Sequence, residues 1–232
     1  MIAGKRVLAI IPARGGSKGI PKKNVRLVGG KPLLAWTVDV ALQVAQIDRV
    51  ILSTDDPEIA AVGLSCGCDV PFMRPAELAG DNAPGIAPVL HALDMLPGYD
   101  LVVLLQPTSP LRVKEDIVAC LEIVAAGAPA CVTVQLLRHG LHLLYELDRS
   151  GNLVPSCSGE FSIARRQEAK QVHMLNGAVY VADITELRQH QSFLFPGVKA
   201  YEMPQDRSID IDDPLDLELA GYLLSKSWKS SL

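Results

Sequence analysis

Residues 11–24 read Ile11-Pro12-Ala13-Arg14-Gly15-Gly16-Ser17-Lys18-Gly19-Ile20-Pro21-Lys22-Lys23-Asn24. They hold three glycines, four cationic side chains and no acid. They directly follow Val7-Leu8-Ala9-Ile10-Ile11, an aliphatic run that reads as a buried strand. Glycines let backbone N–H groups approach an anion closely, and Arg and Lys neutralise it. That combination at the end of a strand points to a polyphosphate cradle. The run fits neither the G-x-x-x-x-G-K-[ST] phosphate loop nor the G-x-G-x-x-G dinucleotide fingerprint. An ordinary glycine-rich turn would not need four cations within ten residues.

Three further clusters have chemistry to offer. Gln106-Pro107-Thr108-Ser109-Pro110-Leu111-Arg112 follows a second aliphatic run, at the carboxyl end of a strand, where open α/β sheets bind ligands. Its prolines fix the loop and leave Gln, Thr, Ser and Arg side chains to be aimed; helix capping by Thr108 or Ser109 is compatible with that role. Asp210-Ile211-Asp212 puts two carboxylates on one face if the backbone is extended. Such a pair is costly unless a cation sits between its members. Magnesium suits it, taking one or two carboxylates plus substrate phosphates. Capping of the following helix falls to Asp213. The fourth cluster, Arg165-Arg166-Gln167 with Asn176-Gly177-Ala178-Val179-Tyr180, says little alone.

These residues need a frame, and the sequence alternates. Strands are expected at 6–12, 50–53, 101–105, 130–135, 178–182 and 199–203, and helices at 31–45, 58–65, 84–96, 113–126, 185–190 and 213–224. Alternation with fully apolar central strands implies a mostly parallel sheet covered on both faces. From 139 to 195 the rhythm changes. Leu147-Asp148-Arg149-Ser150-Gly151-Asn152-Leu153 reads as a hairpin turn between two extended arms, within an insertion of the kind that makes a lid or a dimer contact.

The 232 residues fit one α/β domain with a small appendage. With 49% hydrophobic and 21% charged residues, a sizeable core is available. A net charge of −4 argues against a nucleic-acid binder, which would need a broad basic face. No apolar run approaches the ~20 residues of a membrane span, so neither a membrane nor a nucleic acid is an expected partner. Five cysteines without zinc or redox spacing read as reduced thiols of a cytoplasmic protein.

Taken together, the chain resembles the acylneuraminate cytidylyltransferases, the CMP-sialic acid synthetases, from Ile11 to about Ala220. Residues 11–24 look like that family's signature, and 106–112, Arg166-Gln167, Asn176-Gly177-Ala178 and 208–212 follow in the family's order and spacing. The resemblance implies a Rossmann-like nucleotidyltransferase fold, one domain over 1–232, with a homodimer formed through the 139–195 insertion. It implies transfer of CMP from CTP to the C2 hydroxyl of a nine-carbon 2-keto sugar acid, with release of pyrophosphate. Carried over by position, Arg14, Ser17 and Lys18 hold the CTP phosphates, with the backbone of Ala13, Gly15 and Gly16. Asn24 orders the loop or contacts the nucleotide, and Asp81 and Asn82 lie on its side of the site. Asp210 and Asp212 bind Mg2+ and, with Arg14 and Lys18, form the catalytic set. Thr108, Ser109 and Arg112 line the boundary between nucleotide and sugar. Gln106 lies closest to the sugar, which is also expected to meet His142, Arg166, Asn176, Ala178, Tyr180 and Phe193.

The chain departs from the family pattern on the sugar side. Gly80-Asp81-Asn82-Ala83-Pro84 lacks the usual hydroxyls. Gly140 and His142 stand where a Pro and a Lys are frequent, and Phe193-Leu194 where an aromatic pair is. The reaction is therefore better defined than the sugar: N-acetylneuraminate or a close relative leads, with legionaminic, pseudaminic or KDO-type acids as alternatives. A catalytically inactive nucleotide-binding protein is the reading from another class.

Overall fold

The computed structural model describes residues 1–17, 19–138, 141–156 and 171–225. In chain order the elements are β1 (Val7–Pro12), β2 (Leu27–Val28), β3 (Lys31–Pro32), α1 (Leu33–Leu42), β4 (Arg49–Ser53), α2 (Pro57–Ser65), α3 (Ala87–Met95) and β5 (Leu101–Leu104). Then follow α4 (Lys114–Ala125), β6 (Ala130–Leu136), β7 (Tyr145–Leu147), β8 (Leu153–Pro155), β9 (His173–Asp183), α5 (Ile184–His190), β10 (Lys199–Glu202) and α6 (Pro214–Ser225).

Six strands form one sheet in the order β10-β6-β9-β5-β1-β4. β1 pairs in parallel with β4 and β5, and β10 with β6. β9 runs antiparallel to both of its neighbours, β5 and β6. The mixed α/β architecture with a mostly parallel sheet agrees with the expectation. The direction of β9 was not readable, because an apolar run carries no sign of its polarity.

β1 shows why the sheet is covered twice. Val7, Ala9 and Ile11 point to one face, against Leu34 and Val38 of α1, Ile59 of α2 and Ile117 and Leu121 of α4. Leu8 and Ile10 point to the other, against Val89 and Leu93 of α3 and Leu187 of α5. Val7 to Ile11 of β1 are all fully buried, which is what the uninterrupted apolar run requires.

Local chemistry sets the helix ends. The Asp56 carboxylate accepts from the Glu58 and Ile59 N–H groups, with Pro57 in the first turn of α2. Asp213 and Asp216 exchange backbone-to-carboxylate bonds at the start of α6, so capping does fall to Asp213. The helix expected from residue 31 begins at Leu33 instead, since Lys31 and Pro32 pair with β2.

The described residues of the 139–195 region hold two different things. β7 and β8 form the expected hairpin as a separate two-stranded sheet. β9 and α5 belong to the main body.

Candidate active site

β1 ends at Pro12 beside Ser53 of β4, and Ile10 lies level with Leu104 of β5. The loops leaving β1, β4 and β5 therefore meet at one end of the sheet. They surround a cleft of about 380 Å³, within the range of small-molecule sites. Its wall includes Pro12, Arg14, Ser17, Gly19, Lys23, Asn24, Arg74, Gln106, Thr108 and Asp212.

The first loop is tied down by its own backbone. Ala13 N–H donates to the Ser53 carbonyl at 3.0 Å, extending the β1–β4 ladder by one residue. Gly15 N–H donates to Asp55 Oδ1 at 3.1 Å. A Cβ at Gly15 would stand 2.7 Å from Asp56 Oδ2, and one at Gly19 would collide with the Asp212 carbonyl oxygen. Both positions need glycine for close approach, whereas Gly16 faces open space. Asn24 donates to the Arg14 carbonyl at 3.0 Å, which orders the loop, and it also lines the cleft. The cations meet carboxylates: Arg14 pairs with Asp81 at 2.9 Å, Lys22 with Glu58 at 2.6 Å and Lys23 with Asp212 at 3.6 Å. Asn82 is exposed beside Asp81.

Asp210 and Asp212 lie opposite this loop. Asp212 has an exposed side chain at the cleft. Asp210 is more enclosed, and its Oδ1 is buried with no hydrogen-bond partner. Burial raises the Asp210 carboxyl above its ordinary value, and the charge on Asp212 adds to the rise. Thr108 and Lys23 pull the other way, but Thr108 Oγ1 stops short of a hydrogen bond. An orphaned carboxylate oxygen next to a second carboxylate is a donor set that fits a hard divalent cation. Among the described residues no three His, Cys, Asp or Glu side chains gather to hold a metal unaided. The remaining ligands would thus be substrate and water oxygens.

The 106–112 loop divides. Gln106 and Thr108 face the cleft. Ser109 and Arg112 do not, which corrects the expectation that they line the boundary between nucleotide and sugar. Arg112 is 2% exposed and donates to the Ala178 carbonyl (2.7 Å), Thr37 Oγ1 (3.1 Å) and the Gln106 carbonyl (2.6 Å). Burial draws its pKa down to about 9, which leaves it charged at neutral pH. Ser109 is fully buried and donates to the Asn176 carbonyl.

The sugar-side expectations divide in the same way. Asn176 is buried, accepting from Thr133 Oγ1 at 2.6 Å and donating to Ser208 Oγ at 3.0 Å. Ala178 is fully buried in β9. Both build the wall behind the site rather than its surface, because their polar groups are used inside the fold. Phe193 is likewise buried, packing under Tyr180 with ring centroids 5.6 Å apart. Tyr180 is half-buried and close enough to Asp210 for that carboxylate to help burial raise its pKa. Gly177, at φ +71°, leaves an opening here. A Cβ would stand 3.2 Å from Gln106 Oε1 and 3.4 Å from Asp210 Oδ2. Lys18, Arg166 and the side chain of His142 lie outside the described residues.

Arg74 is the residue that the sequence reading passed over. It is 5% exposed, lines the cleft and pairs with Asp55 at 3.4 Å, while its Nε has no partner. A buried guanidinium with an unused donor, facing a cleft, is suited to a polar or anionic ligand. A single Arg before a Pro gave no signal in sequence. Asp55, which anchors it, lies nineteen residues earlier.

The sequence pattern of the cytidylyltransferase family matches residues 8–178. The CMP-N,N'-diacetyllegionaminic acid synthase of Legionella pneumophila is 36% identical over 94% of this chain and 96% of that protein. The chain belongs to the cytidylyltransferase family. The resemblance read from residues 11–24 and 208–212 is thus borne out, and this cytidylyltransferase is a nucleotidyltransferase. An N-acylneuraminate cytidylyltransferase of Escherichia coli is 34% identical over 95% of this chain, which spans 52% of that longer protein. A pseudaminic acid cytidylyltransferase of Campylobacter jejuni is 30% identical over 97% of this chain and 98% of its own. The fold of this cytidylyltransferase is shared with a CMP:2-keto-3-deoxy-manno-octonic acid synthetase solved with CTP. That match has a TM-score of 0.74 at 17% identity and covers 95% of this chain and 99% of the other.

Proposed function

We propose that this cytidylyltransferase transfers CMP from CTP to the C2 hydroxyl of a nonulosonic acid, N-acetylneuraminate or a close relative of legionaminic type. One observation carries the reading. The cationic glycine loop and the two-carboxylate segment meet at Gly19 and Asp212, so a phosphate cradle and a cation site share one cleft. The relatives' names favour a nine-carbon keto-acid as acceptor.

In the reaction the C2 hydroxyl gives up its proton to solvent as its oxygen bonds to the α-phosphorus of CTP. The bond from that phosphorus to the bridging oxygen breaks, and its electron pair leaves with pyrophosphate. Arg14, Ser17 and Lys18, with the backbone of 13–16, hold the triphosphate. Arg14 gives up Asp81 for it, and Arg74 offers its guanidinium to the nucleotide from the cleft wall. Asp210 and Asp212 would hold Mg2+, which supplies charge neutralisation at the phosphates. Gln106 and Tyr180 face the acceptor beside the opening at Gly177, and Arg166 is suited to its carboxylate.

The exposed apolar hairpin supports a homodimer. Leu147 and Leu153 are 71% and 68% exposed, and Leu143, Tyr145 and Val154 add to the surface. A lone two-stranded hairpin is marginal in water, so a second copy is the occupant we assign to it. Among the described residues no helix is long and apolar enough to cross a membrane. The free cysteines suit a reducing cytoplasm, where CTP is available.

The test is pyrophosphate release from CTP and Mg2+ against a panel of keto-acids: N-acetylneuraminic, legionaminic, pseudaminic and KDO. Release with a nine-carbon acid is expected. No release with any of them, despite CTP binding, would favour the inactive nucleotide-binding reading.

A further inference from the structure

The sheet order sets a problem for the segment that carries the two carboxylates. β10 is the edge strand, and Asp210 and Asp212 lie beside the loop that leaves β1, four positions along the order. After Glu202 the chain crosses this distance with one short turn, Gln205–Arg207, and joins no strand on the way. No ladder fixes such a segment, so point contacts must.

At its far end those contacts are plain. Ile211 N–H donates to the Thr108 carbonyl at 2.9 Å, the Ile211 side chain is buried, and Lys23 Nζ donates to the Ile211 carbonyl at 2.7 Å. At the near end Arg207 forks onto Asp116, Nη2 to Oδ1 at 2.8 Å and Nε to Oδ2 at 3.3 Å. Asp116 is fully buried and also accepts from Val113 N–H at 3.0 Å, which fixes the start of α4. Arg112, just before α4, grips the Gln106 carbonyl. The fork therefore joins the carboxylate segment to the same body that aims Gln106.

We propose that Arg207 is a positioning residue for the transfer reaction, holding Asp210 and Asp212 in register with Gln106 and the phosphate loop through its fork onto Asp116. The inference rests on the reading of 210–212 as the cation-binding segment. Two parallel bonds from a planar guanidinium set an orientation, which a lysine's single point of charge does not. A group that orients metal ligands from behind changes metal affinity or activity by ~10–100-fold when lost.

Removing Arg207 alone would strand a buried carboxylate and unsettle the fold. The decisive variant is therefore the pair Asp116→Asn with Arg207→Gln, which keeps an acceptor for Val113 N–H and strands neither partner of the fork. Arg207→Lys is its companion. Three quantities are read on the full chain: Mn2+ affinity in the presence of CTP, amide exchange over 208–212, and kcat with KM for CTP. In the double variant Mn2+ binding and kcat should each fall ~10–100-fold, with faster exchange over 208–212 and KM for CTP little changed. Arg207→Lys should fall between it and the wild type. Wild-type Mn2+ affinity in a folded double variant overturns the proposal, and so does weakened binding with unchanged exchange. If the double variant does not fold, Arg207→Lys decides by the same readouts. If the wild type binds Mn2+ with CTP but transfers nothing, the transfer reading fails while the positioning test still stands. If it binds no Mn2+, the cation reading of 210–212 fails and this inference with it.

Discussion

Asp212 and Arg74 show how two charged residues of one cleft differ. The Asp212 side chain is 82% exposed, and its ion pair with Lys23 is long, at 3.6 Å. Its charge contributes little to the fold, since surface pairs of this kind are worth about 0–1 kcal/mol. Asp212→Asn should therefore leave the melting temperature nearly unchanged while kcat falls by roughly 10²–10³, the scale of losing one group aimed at developing charge. Pyrophosphate release at saturating Mg2+ checks this, and near-normal turnover would remove Asp212 from the cation site. Arg74 is buried with one donor unused. Arg74→Lys keeps a charge near Asp55 but loses the guanidinium's further donors. KM for CTP should rise by roughly tenfold or more, the worth of a hydrogen bond to a charged group, with a smaller change in KM for the sugar acid. An unchanged KM for CTP would mean that Arg74 only braces Asp55.

Among the elements, the strands were legible wherever a run was apolar throughout, as in β1 and β5, because burial on both faces leaves no polar position. What the motif 106–112 does was half legible. A Thr, a Ser and an Arg in one loop look alike in sequence, yet Thr108 faces the cleft while Ser109 and Arg112 are sealed behind it. The difference arises from β9, whose carbonyls at Asn176 and Ala178 lie within reach of those two side chains. That partnership spans more than sixty residues, so no local pattern reveals it. Gly177 is the element-scale counterpart. Its φ of +71° is one that side chains resist at roughly 1–2 kcal/mol. Gly177→Ala should lower the melting temperature by about 2–8 °C, taking 2–4 °C per kcal/mol at this chain length. Its methyl group would also enter the space shared by Gln106 and Asp210, so the sugar acid's kcat/KM should fall further than the fold loss explains. An Ala variant with full activity would place the acceptor elsewhere.

For the whole molecule, the six-stranded sheet and the β7–β8 hairpin differ in kind. The six-stranded sheet carries the cleft and buries both of its faces, while the β7–β8 hairpin leaves Leu147 and Leu153 in water. An apolar arm in water makes sense if a second copy covers it. The chain on either side of the hairpin supports a coupled role. Leu136, Met174 and Leu175, at the paired ends of β6 and β9, are exposed too, which carries the apolar surface back toward Asn176 and Gly177. Burying this surface in a dimer would therefore press on the sugar side of the site rather than on the phosphate loop. Leu147→Asp with Leu153→Asp should give a monomer by size-exclusion chromatography with light scattering, because two carboxylates cannot be buried at an apolar contact without partners. The monomer should bind CTP as the wild type does, since residues 13–24, Arg74 and Asp212 come from one chain. Its KM for the sugar acid should rise. A double variant that stays dimeric would move the interface off the hairpin, and a monomer with an unchanged KM for the sugar acid would show that each active site is complete in a single chain.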